Sequence, residues 1–199
     1  MHMTLASGSP RRRQLLEQIG LEDFTVLPSE ADETTDPGLS PAAVVEELSR
    51  RKAEAVARQA PDGELVLAAD TVVALGDVIL GKPQSEEEAV RMLCALSGRT
   101  HRVYTGVTLL RAGEARTEHE VTAVTFRTIS MEEIRTYAAC GEPMDKAGAY
   151  GIQGRGALLV ERLEGDYFNV MGLPVCRLGR MLRDFGVSLL SEEAMPPRL

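Results

Sequence analysis

Thr4-Leu5-Ala6-Ser7-Gly8-Ser9-Pro10-Arg11-Arg12-Arg13 is the stretch from which the fold is read. A short apolar strand runs into small, hydroxyl-bearing residues and glycine. Pro10 then opens a helix whose apolar positions Leu15, Leu16 and Ile19 recur at helical spacing. Proline suits the first helical position because the N–H it lacks would have had no partner there. Gly20, just past Ile19, is the expected C′ stop. Strand, tight loop and helix N-terminus in that order begin an α/β fold and also make an anion site. The first-turn N–H groups are unpaired, and the helix dipole favours negative charge. Arg11, Arg12 and Arg13 add fixed charge and forked donors matched to phosphate oxygens. Taken alone, these residues describe a capped surface helix with a solvated basic turn equally well, so the rest of the chain decides.

Leu65-Val66-Leu67-Ala68-Ala69 is a continuous apolar run without alternation, as expected of a strand buried on both faces. Asp70 is expected at the end of that strand. A carboxylate there is costly unless a metal, a cation or hydrogen bonds compensate it. The plain alternative is an Asx-type turn, and the apolar Val72-Val73-Ala74 that follows argues against it. Gly76-Asp77 between two apolar triplets predicts a hairpin, which ends in Gly81-Lys82-Pro83. Lys82, held between glycine and proline, suits one point charge aimed at a phosphate. The G-x-x-x-x-G-K-[ST] spacing of a Walker A loop is absent.

Further out, Phe24-Thr25-Val26-Leu27 predicts a second strand. The acidic residues 29–38 read as a solvated loop, with one or two carboxylates available as metal ligands if the loop folds over a site. Ser40-Pro41 opens a helix to about Gln59, with Val44, Val45, Leu48 and Val56 on its buried stripe. Lys52 falls off that stripe, beside Arg50 and Arg51, on an expected solvated face. Ser85-Glu86-Glu87-Glu88 predicts a capping box for a helix to about Ala95, and Ser130 to Glu133 repeats that signature. Residues 103–111 and 115–127 are long β-rich runs that pair around Ala112-Gly113-Glu114. Residues 145–156 interleave Asp145, Lys146, Tyr150 and Gln153 with four glycines, which are expected to let backbone approach a ligand. A strand at 157–162, a turn at Gly165-Asp166 and a helix from Leu173-Pro174 to about Phe185 complete the pattern. The expected fold is mixed α/β: a strongly curved sheet flanked by helices, with a cleft between two lobes as the ligand site. One domain is expected over 1–190, with a tail at 191–199.

Composition bounds the function. With 199 residues, 44% hydrophobic and 26% charged, the chain reads as a soluble globular domain. A formal net charge of −8 argues against nucleic-acid polymers and anionic membranes, and the clumped basic residues suit a small anionic ligand. Cys94, Cys140 and Cys176 form no C-x-x-C pair and are expected as buried, reduced thiols in a cytoplasmic protein. His2, His101 and His119 share no ligand spacing. The first arginines follow the short apolar stretch, the reverse of a signal peptide, and no apolar run reaches the ~20 residues needed to span a bilayer, so a soluble, cytoplasmic protein is expected.

Six motifs occur in order. They are Ser7-Gly8-Ser9-Pro10-Arg11-Arg12, Ala69-Asp70-Thr71-Val72-Val73, Gly81-Lys82-Pro83, Ser97-Gly98-Arg99-Thr100, the segment from Asp145 to Gly154, and Gly165-Asp166 through Asn169 and Gly172 to Pro174. Together they closely resemble the Maf family of nucleoside triphosphate pyrophosphatases, first named as septum-formation inhibitors. The resemblance runs from about Thr4 to Phe185. It implies the inosine-triphosphate-pyrophosphatase-like fold and cleavage between the α- and β-phosphates with a divalent metal, Mg²⁺ or Mn²⁺. It also implies a homodimer. Asp70-Thr71 with Gly151-Ile152-Gln153 is similar to the branch acting on dTTP and UTP. The resemblance makes Asp70 the proton acceptor and Arg11, Thr71 and Gln153 specificity residues, and it matches Glu33 and Lys52 to functional positions.

Those roles make chemical sense. Phosphoanhydride hydrolysis needs an in-line water, neutralised phosphate oxygens and an immobilised substrate. Asp70 is expected to deprotonate the water, to bind metal, or both, with Glu33 as a second metal ligand. Arg11, Arg12, Lys52, Lys82 and Lys146 are expected to hold the triphosphate with the loop carrying Ser7 and Ser9, while Arg13 faces solvent. The Gln153 carboxamide offers a donor and an acceptor to the carbonyl, N–H, carbonyl edge of uracil or thymine. Two alternatives stand beside this reading: a pyrophosphatase for 7-methyl-GTP or another modified nucleotide, and a non-catalytic nucleotide-binding regulator of septum formation.

Overall fold

In the computed structural model, which describes residues 2–190, one mixed sheet carries every strand. The strands are β1 (Met3–Leu5), β2 (Phe24–Val26), β3 (Leu65–Leu75), β4 (Val78–Leu80), β5 (Thr100–Arg111), β6 (Glu114–Phe126) and β7 (Val160–Glu164). They lie in the order β2-β1-β3-β5-β6-β7, and β4 also pairs with β3. β1 runs parallel to β2 and β3, and the remaining pairs are antiparallel. The helices are α1 (Pro10–Gln18), α2 (Pro41–Ala57), α3 (Glu86–Leu96), α4 (Met131–Ala139), α5 (Tyr167–Met171) and α6 (Val175–Asp184). The tail expected at 191–199 lies outside the described residues.

The unalternating run in β3 is buried on both faces because helices cover both. Leu65, Leu67 and Ala69 join Leu15 and Leu16 of α1 and Leu178, Met181 and Leu182 of α6 in one apolar cluster. Val73, further along the same face, belongs to a separate cluster with Ala89, Leu93 and Leu96 of α3 and Ile134 of α4. On the opposite face Val66 and Ala68 pack on Ala53 and Val56 of α2, and Val72 on Val44, Val45 and Leu48. Two cores on one face, parted at Thr71, and one helix across the other face make the two lobes.

Gly106 of β5 sets how closely α2 lies. It pairs directly opposite Asp70, and a Cβ built on it would overlap the backbone carbonyl of Val45. With hydrogen in that place, the helix backbone settles onto the sheet, and one turn on the Ser49 hydroxyl bonds Thr108 Oγ1 at 2.9 Å.

Three expectations are corrected. Asp70 lies in the middle of β3, because β5 pairs without a break from Val66 to Ala74 and carries the strand past the carboxylate. The three cysteines are free and exposed: Cys94 lies off the buried stripe of α3, Cys140 caps α4, and Cys176 precedes the buried positions of α6. The first capping box is half made. Ser85 Oγ accepts from Glu88 N–H, but Glu88 Oε2 reaches Gln84 N–H instead of the N-cap. The second box, at Ser130 and Glu133, is complete. Of the four glycines of 145–156, Gly151 and Gly154 line the cleft, while a Cβ on Gly148 would crowd Val73 and one on Gly154 the Glu142 carboxylate.

Candidate active site

A cleft of ≈ 650 Å³ opens where the sheet itself is incomplete. On one edge of β3, β1 pairs with Leu65 to Leu67 and β4 with Val73 to Leu75, while β5 fills the other edge. Between 68 and 72 that first edge has no strand. Side chains from both faces of β3 therefore reach one space, and Asp70 and Thr71, which alternate across the sheet, both line it.

Asp70 Oδ1 accepts a hydrogen bond from Lys52 Nζ at 2.6 Å, and the same ammonium meets Glu33 Oε1 at 2.7 Å. Lys52 was expected in solvent; its side chain is only 12% exposed. It follows Leu48 by four residues and Val45 by seven, so it borders the buried stripe of α2 and is carried down with it. Asp70 thus meets one of the needs that burial of a carboxylate imposes, a cation at contact distance. The acidic loop folds over from the other side to bring Glu33, and Lys52 holds the Glu33 carboxyl below the usual carboxylate range.

On the opposite face Arg12 is fully engaged. It donates to Gly172 O at 2.8 Å, Ser7 Oγ at 2.9 Å and Thr71 Oγ1 at 3.1 Å. Burial pushes its pKa down, opposed chiefly by the charge of Asp70. The Thr105 hydroxyl donates to Asn169 O at 3.0 Å, so in its 2.9 Å contact with Thr71 it accepts. The single proton of Thr71 is therefore committed, and only a lone pair remains for a ligand. Ser7 stands behind Arg12 and not on the cleft wall, whereas Ser9 lines the cleft as the N-cap of α1 with its hydroxyl not used in capping.

Across the cleft, Arg11 Nη1 meets Asp145 Oδ2 at 3.3 Å, and Lys146 Nζ meets the other oxygen of the same carboxylate. Burial raises the Asp145 carboxyl, but Lys146 and Arg11 outweigh it and hold it below its usual range. The side chains of Lys82 and Gln153 line the cleft and have no hydrogen bond or ion pair among the described residues. Arg13 is exposed and off the cleft. Ten of the eleven residues singled out in the sequence thus share one space, and Ser7 supports it from behind.

Asp145 and Glu142 were missed. Asp145 stands beside Lys146 in a quoted motif, so a signal existed. Glu142 lies before the motif, and nothing local marks it.

Among the described residues no three His, Cys, Asp or Glu side chains gather into a metal cage. What converges is an oxygen-only pair, Asp70 and Glu33, around one cationic atom. A hard divalent cation that keeps its waters and takes substrate phosphate oxygens needs no more than one or two carboxylates from the protein, so this pair fits Mg²⁺ or Mn²⁺.

Comparison with known proteins shows the family. A family model described as Maf-like protein matches residues 2–185. The chain is 54% identical over 189 residues to a protein of Moorella thermoacetica named dTTP/UTP pyrophosphatase, covering 94% of this chain and 96% of that one. It is 53% identical over 186 residues to a Halalkalibacterium halodurans protein of the same name, covering 94% and 97%. A HAM1 protein from Coxiella burnetii superposes with a TM-score of 0.50 at 14% identity, covering 92% of this chain and 99% of that one, which is a likeness of fold.

Proposed function

The chain belongs to the Maf-like family, and from that premise we propose that it hydrolyses dTTP and UTP to the monophosphate and pyrophosphate. The reading is carried by Lys52 bridging Asp70 and Glu33 at the gap in the sheet, beneath a wall of cations. Water attacks the α-phosphorus: its oxygen bonds phosphorus as the bond to the bridging oxygen breaks, and pyrophosphate leaves. The proton passes to Asp70 Oδ2, the oxygen that Lys52 does not hold. Lys52 fixes the orientation of that carboxylate. A divalent cation held by Asp70 and Glu33 supplies charge neutralisation when bound. Arg11, Lys82 and Lys146 grip the phosphates with the first-turn N–H groups of α1. Arg12 acts by fixing Thr71 and the Gly172 carbonyl.

Gln153 reads the pyrimidine edge. Its carboxamide has no hydrogen-bond partner among the described residues, and a site built on such bonds rejects bases that leave its polar groups unpaired. The names of the relatives favour this substrate over 7-methyl-GTP and over a non-catalytic regulator. Among the described residues no helix is long and apolar enough to cross a membrane, and a cytoplasmic homodimer is part of the same proposal.

The test is pyrophosphate release from a panel of triphosphates with Mg²⁺ or Mn²⁺. Preference for dTTP and UTP is expected, and Asp70→Asn should abolish turnover while nucleotide still binds. Equal rates on all nucleotides would overturn the substrate assignment, and an active Asp70→Asn would remove Asp70 from the chemistry.

A further inference from the structure

Building on the reading of Gln153 as the base-recognising residue, we propose that Glu142, with the Tyr137 hydroxyl, is a positioning residue for pyrimidine specificity: it clamps the backbone on both sides of Gln153. The Glu142 carboxylate accepts from three donors. Tyr137 Oη reaches Oε1 at 2.8 Å, Gly156 N–H reaches Oε1 at 3.1 Å, and Arg155 N–H reaches Oε2 at 2.9 Å. Tyr137 Oη in turn accepts from Gly151 N–H at 3.1 Å. Backbone donors two residues before Gln153, and two and three residues after it, thus end on one carboxylate–phenol pair.

The segment between has no strand ladder or α-helix to hold it. Gly151 and Gly156 are buried, so their N–H groups need these partners. The glycines are shaped to the clamp. A Cβ on Gly154 would overlap the Glu142 carboxylate, and one on Gly156 would stand 2.6 Å from Tyr137 Oη. Burial raises the Glu142 carboxyl, but the backbone donors, Tyr137 and Lys146 outweigh it and hold it below its usual range, which keeps the acceptor charged. Tyr137 is itself anchored in the core with α3 and α4. The clamp therefore refers the position of Gln153 to the rigid lobe, while Gln153 keeps its own side chain free for the base.

Glu142→Gln keeps the size but sets an amide N–H against a backbone N–H, and Tyr137→Phe deletes only the hydroxyl. Glu142→Gln is expected to lower kcat/KM for UTP and dTTP about tenfold or more, since a misplacement of about 1 Å can cost 10²-fold. Values for CTP and ATP should change by less than about twofold, so discrimination collapses. Tyr137→Phe should shift the ratio in the same direction by less. Amide hydrogen exchange should speed up at Arg155 and Gly156 in Glu142→Gln and at Gly151 in Tyr137→Phe, and stay unchanged in β3 and β5. Retained discrimination, or an equal loss on every nucleotide, would overturn the proposal; if Glu142→Gln fails to fold, Tyr137→Phe decides. Unchanged exchange at those amides in their respective variants would overturn the clamp itself. A loosened loop in a protein whose wild type shows no base preference would instead overturn the reading of Gln153.

Discussion

Gly106→Ala tests whether the catalytic pair depends on how closely α2 lies on the sheet. The φ of Gly106 is not in the left-handed region, so alanine carries no backbone penalty there, and any loss is steric. The added methyl would overlap the carbonyl of Val45 and stand 2.9 Å from Glu46 N, which are backbone atoms that cannot rotate aside. Relief requires α2 to lift by roughly 1 Å, and overpacking of that kind costs about 1–3 kcal/mol. At about 2–4 °C per kcal/mol for a protein of this size, Tm should fall by roughly 2–12 °C. Activity should suffer more. Lys52 rides the same helix seven residues on, and its 2.6 Å contact with Asp70 must lengthen with the lift. A misplacement of about 1 Å can cost 10²-fold, so kcat/KM should drop about a hundredfold at temperatures well below Tm. Gly179→Ala in α6 is the control, since nothing stands within 4 Å of its Cβ, and it should be neutral or slightly stabilising. Thermal melts with pyrophosphate release at 25 °C make the measurement. A Gly106→Ala protein with the melting temperature and turnover of the wild type would refute the reasoning.

Gln153→Glu should lower kcat/KM for UTP by about tenfold or more and raise the CTP-to-UTP ratio, because a carboxylate repels the uracil carbonyls and accepts from the cytosine amine; an unchanged ratio in a nucleotide panel would contradict the assignment. Burial holds the His101 imidazole down at about 4. The unfolded chain takes up that proton near 6.5, so stability is lost as pH falls from about 6.5 to 4, by about 3 kcal/mol in all. Urea titrations across that window should show a flatter pH dependence in His101→Phe, and identical slopes would disprove it. Removing divalent cations with EDTA should abolish pyrophosphate release and leave Tm within about 2 °C, as the site uses only two carboxylates already paired with Lys52; activity that survives chelation would refute the metal requirement.

Much of the fold was legible because its signals are local. Pro10 and Gly20 bound α1, the Ser130 and Glu133 box opens α4, and Ala112-Gly113 turns β5 into β6 with positive φ at both residues. α5 went unread: its five residues, capped by Asp166, are too few to show a helical period. The site was legible as residue types but not as relations. Lys52 looked solvated because its sequence neighbours are Arg50 and Arg51; what buries it is Gly106, far along the chain. Asp70 looked like a strand end because an isolated buried carboxylate inside a strand is unfavourable, and its compensation comes from Lys52 on α2, distant in the chain.

By itself, then, the order of residues determined where strands and helices begin, which faces are apolar, and that an acid, a set of cations and a carboxamide would have to serve one anionic ligand. Propensity, capping and periodicity act over a few residues and are written in the chain. Only the tertiary structure decided that β1 and β4 part along one edge of β3, so that Asp70 and Thr71, on opposite faces, open into the same cleft. It alone put one ammonium between two carboxylates and one carboxylate behind Gln153. These are contacts between segments tens of residues apart, and their energies depend on burial and distance, which no local pattern records.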